Sequence, residues 1–136
     1  MDDDGEGGAI AAAKYYLGLY LYVHETGDLT KWEAMALPGC DYCDSVGTTV
    51  SELFSEGGHY KMGKLEFVAD PVADFVEGFH IWDVTLRVTI GKSQVFNAEG
   101  EVTEEYPATR NKLVVGVVHQ GGEWRVSGMR AAADVS

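Results

Sequence analysis

The chain has 136 residues, a net charge of −12, and 46% hydrophobic against 24% charged residues. These totals are typical of one ordinary globular domain rather than of a disordered chain. An acidic surface repels phosphates and anionic lipid headgroups, so the composition excludes a nucleic-acid-binding function. The longest apolar run, YYLGLYLYV, has nine residues, whereas a membrane-spanning helix needs about 20.

The first predicted element is a long helix that follows an acidic, glycine-rich start. Residues 1–8, MDDDGEGG, offer no apolar surface and are predicted to form a disordered linker, so the single domain covers residues 9–136. The helix is predicted over residues 9–26 and ends at Gly27. Apolar side chains fall on two opposite faces of it, which predicts burial on more than one side. These are Ile10, Ala13, Leu17, Leu21 and His24 on one face, and Tyr15, Leu19 and Tyr22 on the other.

Two shorter helices are predicted next. The segment TKWE has the form of a capping box, with Thr30 as N-cap and Glu33 at the third helical position, and it predicts a helix over residues 30–36. A further helix is predicted over residues 42–56, with Asp41 as its N-cap and a glycine pair as its end.

In the second half of the chain the hydrophobic period changes to two, which indicates strands. The clearest is FHIWDVTLRVTI, in which alternate residues from Trp82 to Ile90 are apolar. A β-bulge is predicted at Gly63, and hairpin turns are predicted at GKS, residues 91–93, and at the glycine pair 121–122. Three N-terminal helices followed by five strands predict an α+β domain with a mostly antiparallel five-stranded sheet.

The two cysteines, Cys40 and Cys43, stand close together at the start of the third predicted helix. A redox C-x-x-C pair of the thioredoxin type is expected after a strand in a βαβ unit, whereas here a loop precedes it. A zinc site needs more ligands than two cysteines, and none of the histidines stands at ligand spacing to them. We therefore favour a structural disulfide, while reduced inert thiols, a redox pair and a metal site stay open as alternatives.

Charged residues on the predicted sheet supply the acid–base candidates. Asp83, Arg87, Glu99 and Glu101 would line a cavity if this face were closed, and Asp83 or Glu99 would then serve as a general base. The favoured interpretation is a solvated sheet face, since such alternation is how antiparallel sheets meet water. The sequence contains no recognised nucleophile, metal or cofactor motif, so no catalytic residue, metal or cofactor is predicted.

Aromatic residues are numerous for one small domain, and two interpretations compete for them. In the first, Tyr16, Tyr20, Trp82 and Trp124 line an apolar pocket, with hydroxyl groups pointing inward. In the second, these side chains belong to the core, where buried tyrosine hydroxyls need hydrogen-bond partners.

The opening third of the chain carries a family resemblance. The run AAAKYYLGLYLYVHETGDLTKWEAMALPGCDYCDSV combines an aromatic-rich helix, a TGD turn at residues 26–28 and a GCxxC motif at residues 39–43. In this combination it resembles a family of actinobacterial lipoprotein domains of unknown function. The order of helices and strands also resembles the cystatin-like, cone-shaped fold of ketosteroid isomerase and the SnoaL-like polyketide cyclases. That resemblance implies a long first helix lying across a curved sheet, with a pocket between them.

The resemblance implies an extracytoplasmic cell-envelope protein in an oxidising compartment. It also implies a signal peptide and a lipid-bearing cysteine upstream of this chain, so that membrane attachment is expected only through that anchor. The expected function is a non-catalytic envelope domain that binds a small apolar ligand or a protein partner. The alternative is a small cone-fold enzyme, an isomerase, cyclase or hydrolase, that uses a pocket carboxylate. A homodimer through the sheet face that carries Ile81, Thr85 and Thr89 is a third expectation.

Overall fold

The structure, a computed structural model, describes residues 4–132, so residues 1–3 of the predicted linker and residues 133–136 lie outside it. Helices come first within this range, and strands follow. The helices are α1 (Glu6–Thr26), α2 (Thr30–Met35) and α3 (Asp41–Ser55). The strands are β1 (His59–Lys61), β2 (Leu65–Phe67), β3 (Val72–Val76), β4 (Ile81–Ile90), β5 (Ser93–Phe96), β6 (Val102–Tyr106), β7 (Thr109–Gln120) and β8 (Glu123–Ala132).

The described strands form two antiparallel sheets, where the sequence predicted one sheet of five strands. In the five-stranded sheet, β4 pairs with β7 on one side, and with β2 and β3 one after the other on its other side. β8 pairs with β7 through the predicted hairpin at residues 121–122, which is confirmed. The second sheet has three strands in the order β1-β5-β6.

The chain passes between the two sheets at a pair of glycines. Gly63 connects β1 to β2, Gly91 connects β4 to β5, and a Cβ atom on Gly63 would lie 2.2 Å from the carbonyl carbon of Gly91. Only glycine permits this approach, which the Gly91 N–H stabilises by donating to the Lys64 carbonyl at 2.9 Å. The predictions of a bulge at Gly63 and of a hairpin at residues 91–93 were therefore wrong. Both segments are places where the backbone leaves one sheet for the other.

The core lies between the helices and one face of the five-stranded sheet. The predicted alternation along β4 is confirmed, because Val84, Leu86 and Val88 are buried while Trp82 and Ile90 are half-buried on the same side. Burying such branched side chains against a helix layer is the main stabilising contribution in a domain of this size.

Two of the predicted helix features differ in the structure. α1 begins at Glu6 instead of residue 9, so part of the predicted linker is helical. Its Tyr15 and Tyr22 side chains are exposed, so the second predicted apolar face is buried only at Leu19. Because α1 lies on the sheet with one side and meets water with the other, its outward tyrosines keep their hydroxyl groups in solvent.

The N-cap predicted for α2 is also displaced by one residue. Leu29 occupies the N-cap position, and Thr30 is the first helical residue. The capping function comes from Asp28, whose Oδ1 accepts the Thr30 N–H at 3.1 Å. Hydrogen bonding by the Thr30 backbone and side chain is the largest cause of the lowered pKa of this Asp28 carboxyl.

Candidate functional site

A buried disulfide joins Cys40 and Cys43 at the start of α3. The two residues are only 1% and 2% exposed, and the Cys40 Sγ accepts the Cys43 N–H at 3.2 Å. Cys40 is therefore the N-cap of α3, and the predicted cap Asp41 is the first helical residue. Thiol–disulfide exchange requires attack on an accessible sulfur, so this burial favours a structural bond over a redox centre.

An aromatic stack fills the corner beside this disulfide. The rings of Tyr16 and Trp32 are parallel within 15°, with centroids 4.0 Å apart, and Trp32 Nε1–H donates to the Cys43 carbonyl at 3.0 Å. Tyr16 is completely buried, and its hydroxyl has no hydrogen-bond partner in the described part of the chain. Burial, followed by the nearby Asp44 carboxylate, raises the pKa of Tyr16. Tyr16 therefore belongs to the core, where the sequence offered a pocket wall as one of two interpretations.

A separate cavity of about 320 Å³ opens between the C-terminal half of α1 and the line where the two sheets meet. Its wall is mainly aromatic and apolar, with a few neutral polar groups. Cavities of this volume and lining are typical of small-molecule sites. The side chains that dominate the wall are Tyr20, His24, Tyr60, Met62, Ile90 and Tyr106.

His24 is the central polar group of this cavity. It is 6% exposed, and its Nδ1 lies 2.6 Å from the Tyr20 carbonyl oxygen, which can only accept a hydrogen bond. We therefore assign the proton to Nδ1, which leaves Nε2 as the acceptor of the neutral ring. Desolvation by burial lowers the pKa of His24, and the hydrogen bond to Tyr20 opposes that effect only in part. The imidazole is consequently neutral at physiological pH.

The rings around His24 hold the imidazole in place. The Tyr20 ring lies 4.4 Å from the His24 ring, and the Tyr60 ring meets it edge-on at 4.8 Å. Burial, followed by interaction with Tyr42, raises the pKa of Tyr20. Burial also raises the pKa of Tyr60, with a smaller contribution from Glu104. Both hydroxyls stay neutral, so they offer hydrogen-bonding groups without charge.

The mouth of the cavity carries a third tyrosine. The Tyr106 hydroxyl donates to the Glu104 carboxylate, and this hydrogen bond is the largest cause of the raised pKa of Tyr106. None of the described side chains on the cavity wall is ionised at neutral pH, because the wall lacks Asp, Glu, Lys and Arg. A charged ligand would lose its hydration there without gaining a counter-ion, so the wall favours neutral molecules.

The structure separates the four residues that the sequence grouped as a pocket. Tyr20 alone of the four lies on the wall of this cavity. Trp82 is half-buried on β4 and meets the Phe75 ring at 5.1 Å, and Trp124 is buried on β8 with its ring 5.0 Å from His119. With Tyr16 in the core, the aromatic residues divide between packing and cavity lining.

The two carboxylates considered as general bases lie outside the cavity. Asp83 is on the sheet face opposite to that of Val84 and Leu86, where its Oδ2 lies 3.9 Å from Arg130 Nη2 in a groove that Asp41 and Tyr42 of α3 also line. Glu99 is exposed in the turn between β5 and β6, where its backbone N–H donates to Asn97 Oδ1 at 3.0 Å. Glu101 is bound to the same asparagine oxygen through its own N–H. The structure therefore does not gather these acidic residues into one site.

Sequence reasoning did not identify His24, Tyr60 and Met62 as site residues. One signal was present for His24, a polar residue on the apolar face of the first helix. A second signal was present for Tyr60 and Met62. These two residues stand at even positions, whereas the apolar residues of β2, Leu65 and Phe67, stand at odd positions. That change of parity marks the passage from one sheet to the other, and it is what turns these two side chains toward α1.

Within residues 4–132, no cluster of three or more histidine, cysteine or acidic residues is arranged to hold a metal ion. None of the three described helices combines the length and the hydropathy needed to cross a membrane.

A comparison with protein-family profiles identifies the family of this chain. The profile of a family of unknown function, DUF6318, matches residues 1–130. The chain belongs to this family. None of the curated proteins matches the DUF6318 chain in sequence.

Solved structures with the same fold are more informative about shape than about activity. The DUF6318 domain is similar to the intermembrane space region of the chloroplast protein ARC6, with a TM-score of 0.65, 8% identity, and coverage of 92% of this chain and 97% of that chain. It is also similar to an NTF2-like superfamily protein from Salmonella enterica, with a TM-score of 0.57, 14% identity, and coverage of 96% and 95%. A protein with a cystatin-like fold from Caulobacter vibrioides gives a TM-score of 0.56, 9% identity, and coverage of 94% and 92%. These likenesses confirm the α+β, cystatin-like fold class and say nothing about function.

Proposed function

We propose that this DUF6318 domain is a non-catalytic binding domain that holds a small, neutral, mostly apolar ligand in the cavity beside His24. The observation that carries the proposal is the composition of the wall. Aromatic and aliphatic side chains surround a buried, neutral imidazole, with no ionised group among the described wall residues. A larger groove of about 640 Å³ between α2 and α3 carries three carboxylates, Glu33, Asp44 and Glu52, and therefore suits a neutral apolar ligand less well.

The polar groups on the wall limit the chemistry of the ligand. His24 Nδ1 is already engaged by the Tyr20 carbonyl, so Nε2 is the ring atom left to accept a hydrogen bond. A ligand with one hydroxyl or amide N–H on an apolar body would use that acceptor and bury its remaining surface against Met62, Ile90 and Tyr60. Such a few well-placed polar groups in an apolar wall are how small-molecule sites fix orientation.

An enzymatic alternative is less well supported. The enzymatic alternative expected from the sequence uses a pocket carboxylate, within hydrogen-bond reach of the substrate, as its general base. Asp83 lies on the far side of the sheet, and Glu99 lies in an exposed turn, so neither reaches a molecule in this cavity. This placement favours binding over catalysis.

The proposed location is the cell envelope. The Cys40–Cys43 disulfide indicates an oxidising or extracellular compartment, because cytosolic thiols are kept reduced. Attachment through an upstream lipid-bearing cysteine is the finer part of this proposal, and it rests on the family resemblance of residues 26–43. Detection of a lipid-modified N-terminal fragment by mass spectrometry of membrane extracts would support that part.

Binding is tested with N-phenyl-1-naphthylamine, a neutral aromatic probe whose fluorescence rises in apolar surroundings. We expect saturable binding to the whole chain, and we expect Thr109→Trp to weaken it at least about tenfold. Thr109 is exposed at the rim of the cavity, so the new indole can occupy the cavity without distorting the core. Thr49→Trp, the same replacement on the exposed side of α3, is the matched control. Absence of saturable binding, or equal binding by Thr109→Trp, would overturn the proposal.

A further inference from the structure

The chain covers part of one edge of the five-stranded sheet and leaves the opposite edge open. At the β8 edge, the Leu37 N–H donates to the Val126 carbonyl at 2.8 Å, and Ala36 forms a parallel bridge with Val126. At the opposite edge, β3 pairs with β4 on one side, and no strand within residues 4–132 pairs with its other side. This free side of Val72–Val76 is called the β3 edge below. Its outward N–H and C=O groups are available to a further strand.

The open edge also carries most of the exposed apolar side chains. Five of the nine large hydrophobic residues that are exposed among the described positions fall between residues 67 and 79. Lys14 covers one of them in part, with its Nζ 5.2 Å from the centre of the Phe67 ring. Val72, Phe75 and Phe79, on β3 and in the turn after it, are 47%, 45% and 71% exposed. Exposed apolar side chains grouped in this way are typical of an interaction surface.

The charge of the same segment limits the chemistry of a partner. Residues 68–79 contain three acidic residues and no lysine or arginine. Asp74, in the middle of β3, is exposed and stands directly opposite Asp83 of β4. Arg130 lies 3.9 Å from Asp83, whereas Asp74 forms no ion pair with any residue between positions 4 and 132. A cation placed beside Asp74 from outside would therefore offset the repulsion between the two carboxylates.

We propose that the β3 edge binds an extended segment of a partner protein in which a basic residue stands between apolar residues. The segment adds as a further strand beside Val72–Val76, and its backbone hydrogen bonds to β3 supply affinity. Directly opposed side chains on neighbouring strands interact most closely, so the basic residue belongs opposite Asp74. Apolar residues belong opposite Ala73 and Phe75, which lie on the same side of the sheet as the core.

Two other occupants fit this edge less well. A second copy of the chain would bring its own acidic β3 against Asp74, and opposed like charges destabilise strand pairing. Anionic lipid headgroups would be repelled in the same way, and a bilayer would leave the outward backbone groups of β3 without partners. The proposal does not depend on the ligand cavity, because no residue of the β3 edge lies on the cavity wall.

The synthetic peptide KTVRVTK tests the proposal on the whole chain. Its sequence is the same in both directions, so either strand orientation places the arginine opposite Asp74 and the valines opposite Ala73 and Phe75. We expect saturable shifts of the backbone amide resonances of residues 72–76 in ¹⁵N-labelled protein. Amide exchange should slow at alternate positions of β3, because the outward N–H groups then donate to the peptide. KTVEVTK, the matched control peptide, should bind at least about tenfold more weakly.

A charge exchange makes the test specific to the proposed register. Asp74→Lys should bind KTVRVTK at least about tenfold more weakly than the natural chain, and it should bind KTVEVTK more tightly. The variant is expected to fold well, since the new lysine stands opposite Asp83. Glu25→Lys, the same reversal of charge at an exposed position of α1, is the matched control and should bind both peptides as the natural chain does.

The outcomes separate the proposed partner from the other occupants. Absence of saturable shifts at residues 72–76 would overturn the proposal, as would equal binding of the two peptides by the natural chain. An Asp74→Lys variant that still prefers KTVRVTK would contradict the pairing at Asp74. Flotation of the natural chain with phosphatidylcholine vesicles, without peptide-induced shifts, would assign the apolar side chains to a lipid surface instead.

Discussion

The indole Nε1–H of Trp32 donates a hydrogen bond of 3.0 Å to the carbonyl oxygen of Cys43. This contact connects α2 to the first turn of α3, directly beside the disulfide. It explains why an aromatic-rich first helix and a GCxxC motif occur together in the sequence, since Tyr16, Trp32 and the disulfide are parts of one buried corner. Tyr16 of this corner and Tyr20 of the cavity wall are one turn apart on the same side of α1, and the Tyr20 and Trp32 rings are 6.3 Å apart, so the corner lies next to the cavity.

Replacing Trp32 tests the importance of this corner. Trp32→Phe is expected to lower the free energy of unfolding by about 2 kcal/mol, because it removes one buried hydrogen bond and part of a completely packed ring. Urea unfolding followed by circular dichroism measures the loss. Trp82→Phe, at a half-buried position on β4, is the comparison and should cost less. An equal or smaller loss for Trp32→Phe would show that the hydrogen bond to Cys43 contributes nothing.

The unpartnered hydroxyl of Tyr16 leads to an unusual expectation. Tyr16→Phe should leave the free energy of unfolding unchanged or raise it by about 1 kcal/mol, since a buried polar group without a partner is unfavourable. Tyr20→Phe is the matched control, because the Tyr20 hydroxyl interacts with that of Tyr42 and its removal should be destabilising by about 1 kcal/mol. Thermal unfolding of the two variants decides the matter, and a clear loss for Tyr16→Phe would reveal a partner for its hydroxyl.

The disulfide is expected to be structural. Because it closes a very short loop, the double change Cys40→Ser with Cys43→Ser should lower the free energy of unfolding by only about 2 kcal/mol. Maleimide labelling of the natural chain under mild reductant should be slow until the protein is unfolded, since both cysteines are at most 2% exposed. Rapid labelling of the folded protein would instead indicate an accessible redox pair.

His24 makes stability depend on pH in a defined direction. Burial lowers its pKa below the ordinary value of 6.5, so the unfolded chain binds the proton more readily than the folded chain. The contribution of the neutral ring is therefore complete above pH 6.5 and is lost progressively as the pH falls below it. Urea unfolding between neutral and mildly acidic pH should show this decline, and His24→Asn, which retains a donor for the Tyr20 carbonyl, should remove it. A variant with the same decline as the natural chain would contradict the assignment.

Local patterns in the sequence predicted the regular parts of the fold well. The alternation along β4, the hairpin at residues 121–122 and the helices-before-strands order all follow from side-chain periodicity and turn residues, which act over short distances. The division into two sheets did not follow. It depends on the close approach of Gly63 and Gly91, which are distant in sequence, and periodicity cannot report such a contact.

The cavity was predictable only in outline, for the same reason. A pocket between the first helix and the sheet was expected from the resemblance, and Tyr20 was named for it. Its other wall residues come together only where the sheets meet, so the change of parity at Tyr60 and Met62 did not reveal that they face α1. Tryptophan is common in pocket walls, yet Trp82 packs against Phe75 and Trp124 packs against His119, so neither lies on the wall of this cavity.

The ligand cavity is tested most directly by the methionine methyl groups. Met62 lies on the cavity wall, whereas Met35 and Met129 line two other surface grooves. In protein labelled with ¹³C at these methyl groups, saturation with N-phenyl-1-naphthylamine should shift the Met62 resonance and give nuclear Overhauser contacts to its methyl protons. Met35 and Met129 should be unaffected. Contacts at Met35 or Met129 with an unchanged Met62 would contradict a ligand site beside His24.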